Sequence, residues 1–323
     1  MTRAVLQVSD LSVHYQRRSI NPFKTVPPVR AVDGVTLEIS RGQTLGLVGE
    51  SGCGKSSLAR AILRLTPITR GHVVLNDRPI EALQGRALRT VRRDMQFIFQ
   101  DPYSSLNPRA RAGDIVRSPL DVLGIGSAQE RRRRVAELFA AVGLRPEQQD
   151  LFPHQFSGGQ RQRINIARAL APSPSLIVCD EPVSALDVAI RAQILNLLTR
   201  LQKELGLTYL FISHDMGVIR HVADTVAVMY LGEIVEQAPQ RAFFAGPRHP
   251  YSVALMSAVP SAKGKAQRAA RTRLSGDPPS PMAPPTGCRF APRCPLAVAI
   301  CSATPPPLKQ VAEAHLVRCH LVA

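Results

Sequence analysis

Apolar and polar positions alternate over 6–15 and again over 31–39, so each stretch reads as a strand with one buried face. A Pro-rich loop with Pro22, Pro27 and Pro28 separates them. Residues 44–48 form a short apolar run, a strand buried on both faces, and 57–65 follow with a helical pattern. Short strands are expected at 72–75 and 95–99. From Asp101 to about Phe152 the pattern turns helical and polar, with Pro and Gly breaks, and strand signals return only at Leu176. Strand 176–179, helix 188–205, strand 208–212, helix 216–223 and strands 225–230 and 233–237 then alternate. This order predicts an α/β fold with a mostly parallel sheet covered on both faces, interrupted by a helical insertion.

The loop between the 44–48 strand and the next helix reads Gly49-Glu50-Ser51-Gly52-Cys53-Gly54-Lys55-Ser56. It fits the phosphate-binding pattern G-x-x-x-x-G-K-[ST] in the strand–loop–helix context that pattern requires. The alternative, a chance glycine-rich turn, leaves that context unexplained. Glycines let backbone N–H groups wrap close to phosphate oxygens, and the helix N-terminus adds partial positive charge. Lys55 can reach the β- and γ-phosphates and the Ser56 hydroxyl can ligate Mg²⁺.

Further acids and a second anion site follow. The apolar run 176–179 delivers Asp180 and Glu181 to the C-terminal edge of the sheet, where α/β folds bind ligands. Asp180 is placed for the Mg²⁺ shell, and Glu181 for polarising the attacking water. Phe156-Ser157-Gly158-Gly159-Gln160 precedes the helix 161–170, with Ser157 as its N-cap and two glycines permitting close approach of an anion. One nucleotide does not need two phosphate cradles from one chain, so the second is expected to serve a nucleotide held mainly by another chain. Ser184 to Asp187 caps the following helix, and Ser213-His214-Asp215 ends a strand.

The chain has 323 residues, enough for two domains. No run reaches the ~18 apolar residues of a membrane span, and the first residues carry no secretory signal, so a cytoplasmic location is expected. The net charge is +17. The run Arg131 to Arg134 reads as a solvated helix face, and no aromatic interleaving of the kind that stacks bases accompanies it, so nucleic acid is not expected. Of six cysteines, four crowd into the C-terminal stretch: Cys288, Cys294, Cys301 and Cys319. Four thiolates can bind Zn²⁺ or an iron–sulfur cluster. The spacings contain no C-x₂-C, which argues against a zinc ribbon and fits no ferredoxin run. His315 and His320 are alternative ligands. Apolar residues over 288–323 are scattered and prolines interrupt each helical pattern, so a metal group is expected to hold this stretch together.

Taken together the motifs resemble the nucleotide-binding subunit of an ABC transporter. Gly49 to Ser56 is similar to Walker A and Gln100 to the Q-loop glutamine. Ser157 to Gln160 resembles the signature motif, and Leu176 to Asp180 resembles Walker B with Glu181 the catalytic glutamate. Ser184 to Asp187 resembles the D-loop, His214 the switch histidine and Tyr15 the adenine-stacking aromatic. Phe156 stands where Leu is usual. The resemblance implies a P-loop NTPase (RecA-like) core with an antiparallel β subdomain and a helical subdomain at about 101–172, together spanning 1–240, and an extension over 241–323. It implies nucleotide contacts from Tyr15, Gly49, Ser51, Gly52, Cys53, Gly54, Lys55, Ser56 and Ser57, with Ser157, Gly158, Gly159, Gln160 and Asp187 serving a dimer partner. Mg²⁺ would be held by Ser56, Gln100 and Asp180, and hydrolysis would engage Glu181, His214, Gln100 and Lys55.

His249-Pro250-Tyr251, then Ala254 to Pro260, and the stretch Gln100 to Arg109 resemble oligopeptide/dipeptide importers, closer to the F-type than the D-type ATPase subunit. Residues 260–287 read as a linker or wrapped arm. The resemblance implies a [4Fe–4S] cluster on the four clustered cysteines. It also implies a second ABC ATPase subunit (a paralogue), two transmembrane permease subunits, and a substrate-binding protein reached through them. The chain would sit peripherally on the cytoplasmic face of the membrane, importing peptides or, as for some relatives, nickel chelates or glutathione. A soluble ABC-type ATPase acting on nucleic acid or ribosomes is the rival; the long coiled-coil insertion or fused second ATPase unit usual there is missing. A P-loop small-molecule kinase leaves the signature motif unexplained.

Overall fold

Buried five-residue runs at Thr44–Val48, Leu176–Asp180 and Thr208–Ile212 make the interior strands of the fold, as their continuous apolar character requires. The computed structural model describes residues 3–16, 26–257 and 276–322. The expectations for Pro22, for Ala258 to Pro260 and for the linker up to 275 lie outside the described residues. In chain order come β1 (Ala4–Tyr15), β2 (Val29–Ser40), β3 (Thr44–Val48), α1 (Lys55–Ile62), β4 (Arg70–Leu75), β5 (Arg78–Pro79), α2 (Gly85–Arg92) and β6 (Met95–Ile98). The helical stretch contains α3 (Ala112–Leu123), α4 (Ala128–Ala141) and α5 (Gly158–Leu170). Then follow β7 (Leu176–Asp180), α6 (Val188–Leu205), β8 (Thr208–Ile212), α7 (Met216–Val222), β9 (Thr225–Tyr230) and β10 (Glu233–Pro239). The C-terminal part adds α8 (Gln240–Ala245), α9 (Pro250–Ser257), α10 (Ala299–Ala303), β11 (Lys309–Ala312) and β12 (His315–Val317). Among the described residues no helix is long and apolar enough to cross a membrane.

The chain divides into two compact units. The first contains residues 1–6, 38–44 and 74–212. In it β6, β7 and β8 run parallel and adjacent, with Met95 opposite Leu176 and Leu176 opposite Thr208. The helices α3, α4 and α5 pack on one another here. Ser127 and Glu130 close a reciprocal capping box at the start of α4, which fixes where the arginine-rich helix begins. Arg132 and Arg133 are exposed, as expected of a solvated face, whereas Arg131 and Arg134 are half-buried, Arg131 pairing with Asp121 at 2.8 Å and Arg134 donating to the Leu170 carbonyl at 3.3 Å. The short α2 was not anticipated; Val91 is its only buried residue, so its apolar signal is slight.

The second unit contains residues 7–37, 45–73 and 213–323. In it β3 and β9 are parallel, β9 and β10 form an antiparallel hairpin, and β12 and β11 extend that hairpin antiparallel. Gly46 in β3 lets α7 lie close, since a methyl there would meet Ile219 and Ala223 at 2.8 and 2.9 Å.

One expectation is corrected. The C-terminal stretch does not depend on its cysteines alone for order. Phe290 is fully buried against Tyr230, Tyr251 and His249, with ring centroids 5.3 to 5.7 Å apart. The β12 strand pairs with β10, Arg318 N–H donates to the Val235 carbonyl at 2.8 Å, and the buried His315 contacts the buried Glu236 carboxylate at 2.8 Å. A small core and a strand pairing therefore do what sparse local apolar periodicity did not foretell.

Candidate functional site

In the second unit the loop from Gly49 to Ser56 joins β3 to α1. Gly54 has φ +111°, a conformation that side chains resist, and a Cβ there would run into the Ala31 carbonyl. The backbone is thus free to turn tightly, and α1 starts without any side-chain cap of its own. The N-terminus of such a helix favours an anion. Lys55 is buried, and its ammonium donates to the carbonyls of Gly49 and Glu50 at 2.8 and 2.9 Å. Cys53 lies beneath, its Sγ 3.7 Å from the Lys55 ammonium, and burial pushes its thiol pKa up, so it stays protonated at neutral pH. Ser51, Gly52 and Ser56 are exposed, which leaves one face of the loop open.

Tyr15 sits at the rim of this loop. Its hydroxyl donates to Ser57 Oγ at 3.3 Å while the ring stays 37% exposed, enough face for a planar group to stack on. His214 is exposed at the end of the strand–helix turn. The preceding Ser213 N–H donates to the Leu47 carbonyl at 3.2 Å, and Asp215 caps α7 through the Gly217 and Val218 N–H groups.

In the first unit β7 ends in Asp180, a buried carboxylate, and the chain then reverses. Glu181 has φ +48°, left-handed for a residue with a side chain. Such a backbone costs on the order of 1–2 kcal/mol and persists only where neighbours hold it. They do here: Glu181 N–H donates to the Ile212 carbonyl at 3.0 Å, and the Ser184 hydroxyl donates to the Glu181 carbonyl at 3.0 Å. The Gln100 side-chain amide donates to the Glu181 carboxylate at 3.0 Å, so these two predicted residues stand together. Nothing in the sequence signals the left-handed turn.

Ser157 is the exposed N-cap of α5, as predicted. Its Oγ accepts from Gln160 N–H at 3.3 Å, and the Gln160 side chain accepts from Ser157 N–H at 3.0 Å. The box uses the hydroxyl as an acceptor and leaves its proton free to donate to an anion. Gly159 is buried rather than open to a ligand; a methyl there would strike Ile190, so helix contact accounts for this glycine. Asp187 is exposed and caps α6 by accepting from Ile190 N–H at 2.9 Å.

The four C-terminal cysteines lie near one another. Cys288 N–H donates to the Cys301 carbonyl at 2.7 Å, and the Cys288 and Cys294 thiols each lie within electrostatic reach of Cys301 and Cys319. Burial raises the Cys288 and Cys294 pKa values. The donor chemistry suits a thiolate-held group, but among the described residues no three His, Cys, Asp or Glu side chains are disposed to hold a metal ion. That holds for a zinc ion and for the irons of a cluster alike. His320 turns instead to the Thr304 carbonyl at 2.9 Å.

Two residues outside the predicted set, Arg293 and Tyr251, touch the phosphate loop at Glu50. The Glu50 carboxylate takes both arms of the Arg293 guanidinium, at 2.7 and 3.0 Å, and Glu50 N–H donates to the Tyr251 hydroxyl at 2.8 Å. The partners are some 200 or more positions apart in sequence, so no local pattern could reveal them.

Residues 32–184 match the ABC transporter family, and residues 235–301 match the C-terminal region of oligopeptide/dipeptide transporters. The chain is 49% identical to a Sinorhizobium fredii protein described as a probable peptide ABC transporter ATP-binding protein, over 100% of this chain and 91% of that one. It is 46% identical to the oligopeptide transport ATP-binding protein AppF of Bacillus subtilis, over 98% of this chain and 97% of that one. Among solved structures it is similar to the ATP-binding cassette MJ0796 in a dimer bound to ADP and phosphate. The TM-score is 0.64 at 31% identity, covering 73% of this chain and 99% of that one.

Proposed function

The chain belongs to the ABC transporter ATP-binding proteins, and from that premise we propose that this ATPase energises a membrane importer of di- or oligopeptides. The observation that carries the cargo class is the match of residues 235–301 to the peptide-transporter C-terminal region, present together with the ATPase motifs. The domain reading is a cassette over 1–240 with a helical subdomain at about 101–172, followed by the extension 241–323.

The chemistry is phosphoryl transfer to water, where catalysis is chiefly positioning and electrostatics. Loop N–H groups and Lys55 bind the triphosphate, and Tyr15 offers its ring to the adenine. The Ser56 hydroxyl, the Gln100 amide oxygen and the Asp180 carboxylate are hard oxygen donors of the kind Mg²⁺ takes, and the ion neutralises phosphate charge when bound. Glu181 orients or deprotonates the attacking water, held by Gln100 and its own constrained backbone. His214 contacts the γ-phosphate. Ser157, Gly158 and the α5 N-terminus bind the nucleotide of a second ATPase subunit, with Gln160 fixing the Ser157 cap and Asp187 at the same surface. ATP-driven closure of the two subunits moves a pair of transmembrane permease subunits fed by a substrate-binding protein. This places the chain on the cytoplasmic face of the membrane. In the extension, Cys288, Cys294, Cys301 and Cys319 are the donor set for a [4Fe–4S] cluster, a structural group with no part in hydrolysis.

Affinity purification of the full chain from detergent-solubilised membranes tests this reading. Two hydrophobic permease subunits should copurify, and ATPase activity of the reconstituted complex should rise with peptide-loaded binding protein. Copurifying ribosomes or nucleic acid would overturn the reading. Stimulation by a nickel chelate or glutathione, and not by peptides, would overturn the cargo.

A further inference from the structure

A phosphate-binding loop that carries a carboxylate has an electrostatic problem. Glu50 is the second residue of the loop, and a triphosphate brings several negative charges to the same backbone. Left free, the Glu50 carboxylate would oppose the ligand the loop exists to hold, and the opposition would be strong wherever water is excluded.

Arg293 answers this charge. Its guanidinium is buried, and it meets both Glu50 oxygens in a two-pronged pair at 2.7 and 3.0 Å. Such fork-to-fork pairs are geometrically specific as well as strong. The same guanidinium reaches the Tyr230 hydroxyl at 3.5 Å and lies over that ring at 5.8 Å. Arg293 itself is delivered by a tight turn in the cysteine-rich extension. Ala291 N–H donates to the Cys288 carbonyl at 3.0 Å, and Arg293 N–H donates to the Phe290 carbonyl at 3.0 Å. Phe290 anchors that turn in the aromatic cluster of Tyr230, Tyr251 and His249.

The backbone of the loop is held from the same side. Glu50 N–H donates to the buried Tyr251 hydroxyl at 2.8 Å, and Gly232 N–H donates to the Cys53 carbonyl at 2.9 Å. Glu50 N–H is therefore occupied from behind, and Cys53 N–H donates to the Glu50 carbonyl at 3.3 Å, which closes the turn within the loop.

We infer that the cysteine-rich extension is a brace for the phosphate loop, with Arg293 a positioning residue that neutralises Glu50 so that the loop accepts a triphosphate, and Tyr251 a positioning residue that fixes its backbone. The inference rests on the nucleotide reading of the loop and not on the peptide cargo. It implies a signature that simple structural support does not share. Removing Arg293 should weaken ATP binding because a charge is exposed, so removing that charge as well should restore binding.

Binding of a fluorescent ATP analogue to the full chain, with folding checked by circular dichroism, reads this directly. Arg293→Met should raise Kd for ATP about tenfold, with a smaller rise for AMP, which carries less charge. Glu50→Gln alone should stay within about threefold of wild type, and the Arg293→Met/Glu50→Gln pair should return to within about threefold of wild type. Arg293→Lys, which keeps the charge and loses the fork, should fall between. A Kd for Arg293→Met within twofold of wild type would overturn the inference, as would a tenfold loss that persists in the Glu50→Gln background. If Arg293→Met alone does not fold, the comparison of the double variant with Glu50→Gln decides, and failure of the double variant to fold would also overturn it. Absence of ATP binding by the unaltered chain would instead overturn the reading of the loop itself.

Discussion

The Gln100 amide holds the Glu181 carboxylate at 3.0 Å, and the Glu181 backbone is left-handed at φ +48°. Strain at a carboxylate next to a buried Asp is the kind of local cost that a reacting group's placement justifies. Glu181→Gln keeps the size and the partner but loses the basic oxygen. It should retain ATP binding and lower turnover by about 10²–10⁴-fold, the usual worth of a positioned general base. Phosphate release alongside nucleotide binding checks this. Turnover within about threefold of the unaltered chain would remove Glu181 from the role.

Ser157 spends its oxygen on the Gln160 N–H and presents its proton outward from an exposed helix start. On the proposed reading, an anion met there belongs to a second subunit. Ser157→Arg should therefore spare nucleotide binding measured on dilute chain and lower hydrolysis at least tenfold under conditions of dimer formation, consistent with loss of positioned transition-state donors. Full-rate hydrolysis by a dilute monomer would show that no second subunit is required.

Much of this was legible because the decisive signals are local. The run 44–48 could be read as a buried strand, and the glycines and Lys55 after it as a phosphate loop, because sequence neighbours alone define that motif. The α6 helix appeared with the bounds its periodicity gives, since Asp187 caps one end and Gly206, left-handed at φ +64°, closes the other. The rest depends on distant pairings. Three-residue β12 has no strand signal of its own and exists because β10 offers an edge. The contact between Glu50 and Arg293 joins positions 243 apart, and the turn at Glu181 is imposed by the Ile212 carbonyl on a neighbouring strand.

His249 ties the extension to pH. It is buried, its Nδ1 accepts from Tyr251 N–H at 3.1 Å, and burial pushes its pKa down to about 4 from 6.5. Between those values the unfolded chain binds a proton that the folded chain refuses. Stability should therefore be full above about pH 6.5 and fall as pH drops toward 4, by up to about 3 kcal/mol from this group. Glu236 accepts from the His249 backbone N–H at 2.9 Å and contacts His315 at 2.8 Å. They are unchanged in His249→Gln, and the difference isolates the imidazole. Denaturant unfolding at pH 7.5 and 5 should show a shallower pH dependence for the variant; equal slopes would remove His249 as the cause.

The thiol cluster makes the last prediction, and the fold changes its form. Metal ligation can contribute on the order of 10 kcal/mol to a small segment that has no other support. This segment has support: Phe290 is buried, β12 pairs with β10, and Arg293 is paired with Glu50. Loss of the group should therefore loosen the stretch around the cysteines and leave the β12 pairing in place. Chain purified without oxygen should carry about four irons with matching sulfide if all four cysteines hold one cubane. Cys294→Ser should abolish the iron and speed proteolysis near 288–301, while protection of amides at 315–317 and ATP binding persist. Stoichiometric zinc without iron would overturn the iron–sulfur assignment. Neither metal, with 288–301 still protected, would show that the aromatic core and the strand suffice and that the four thiols hold nothing.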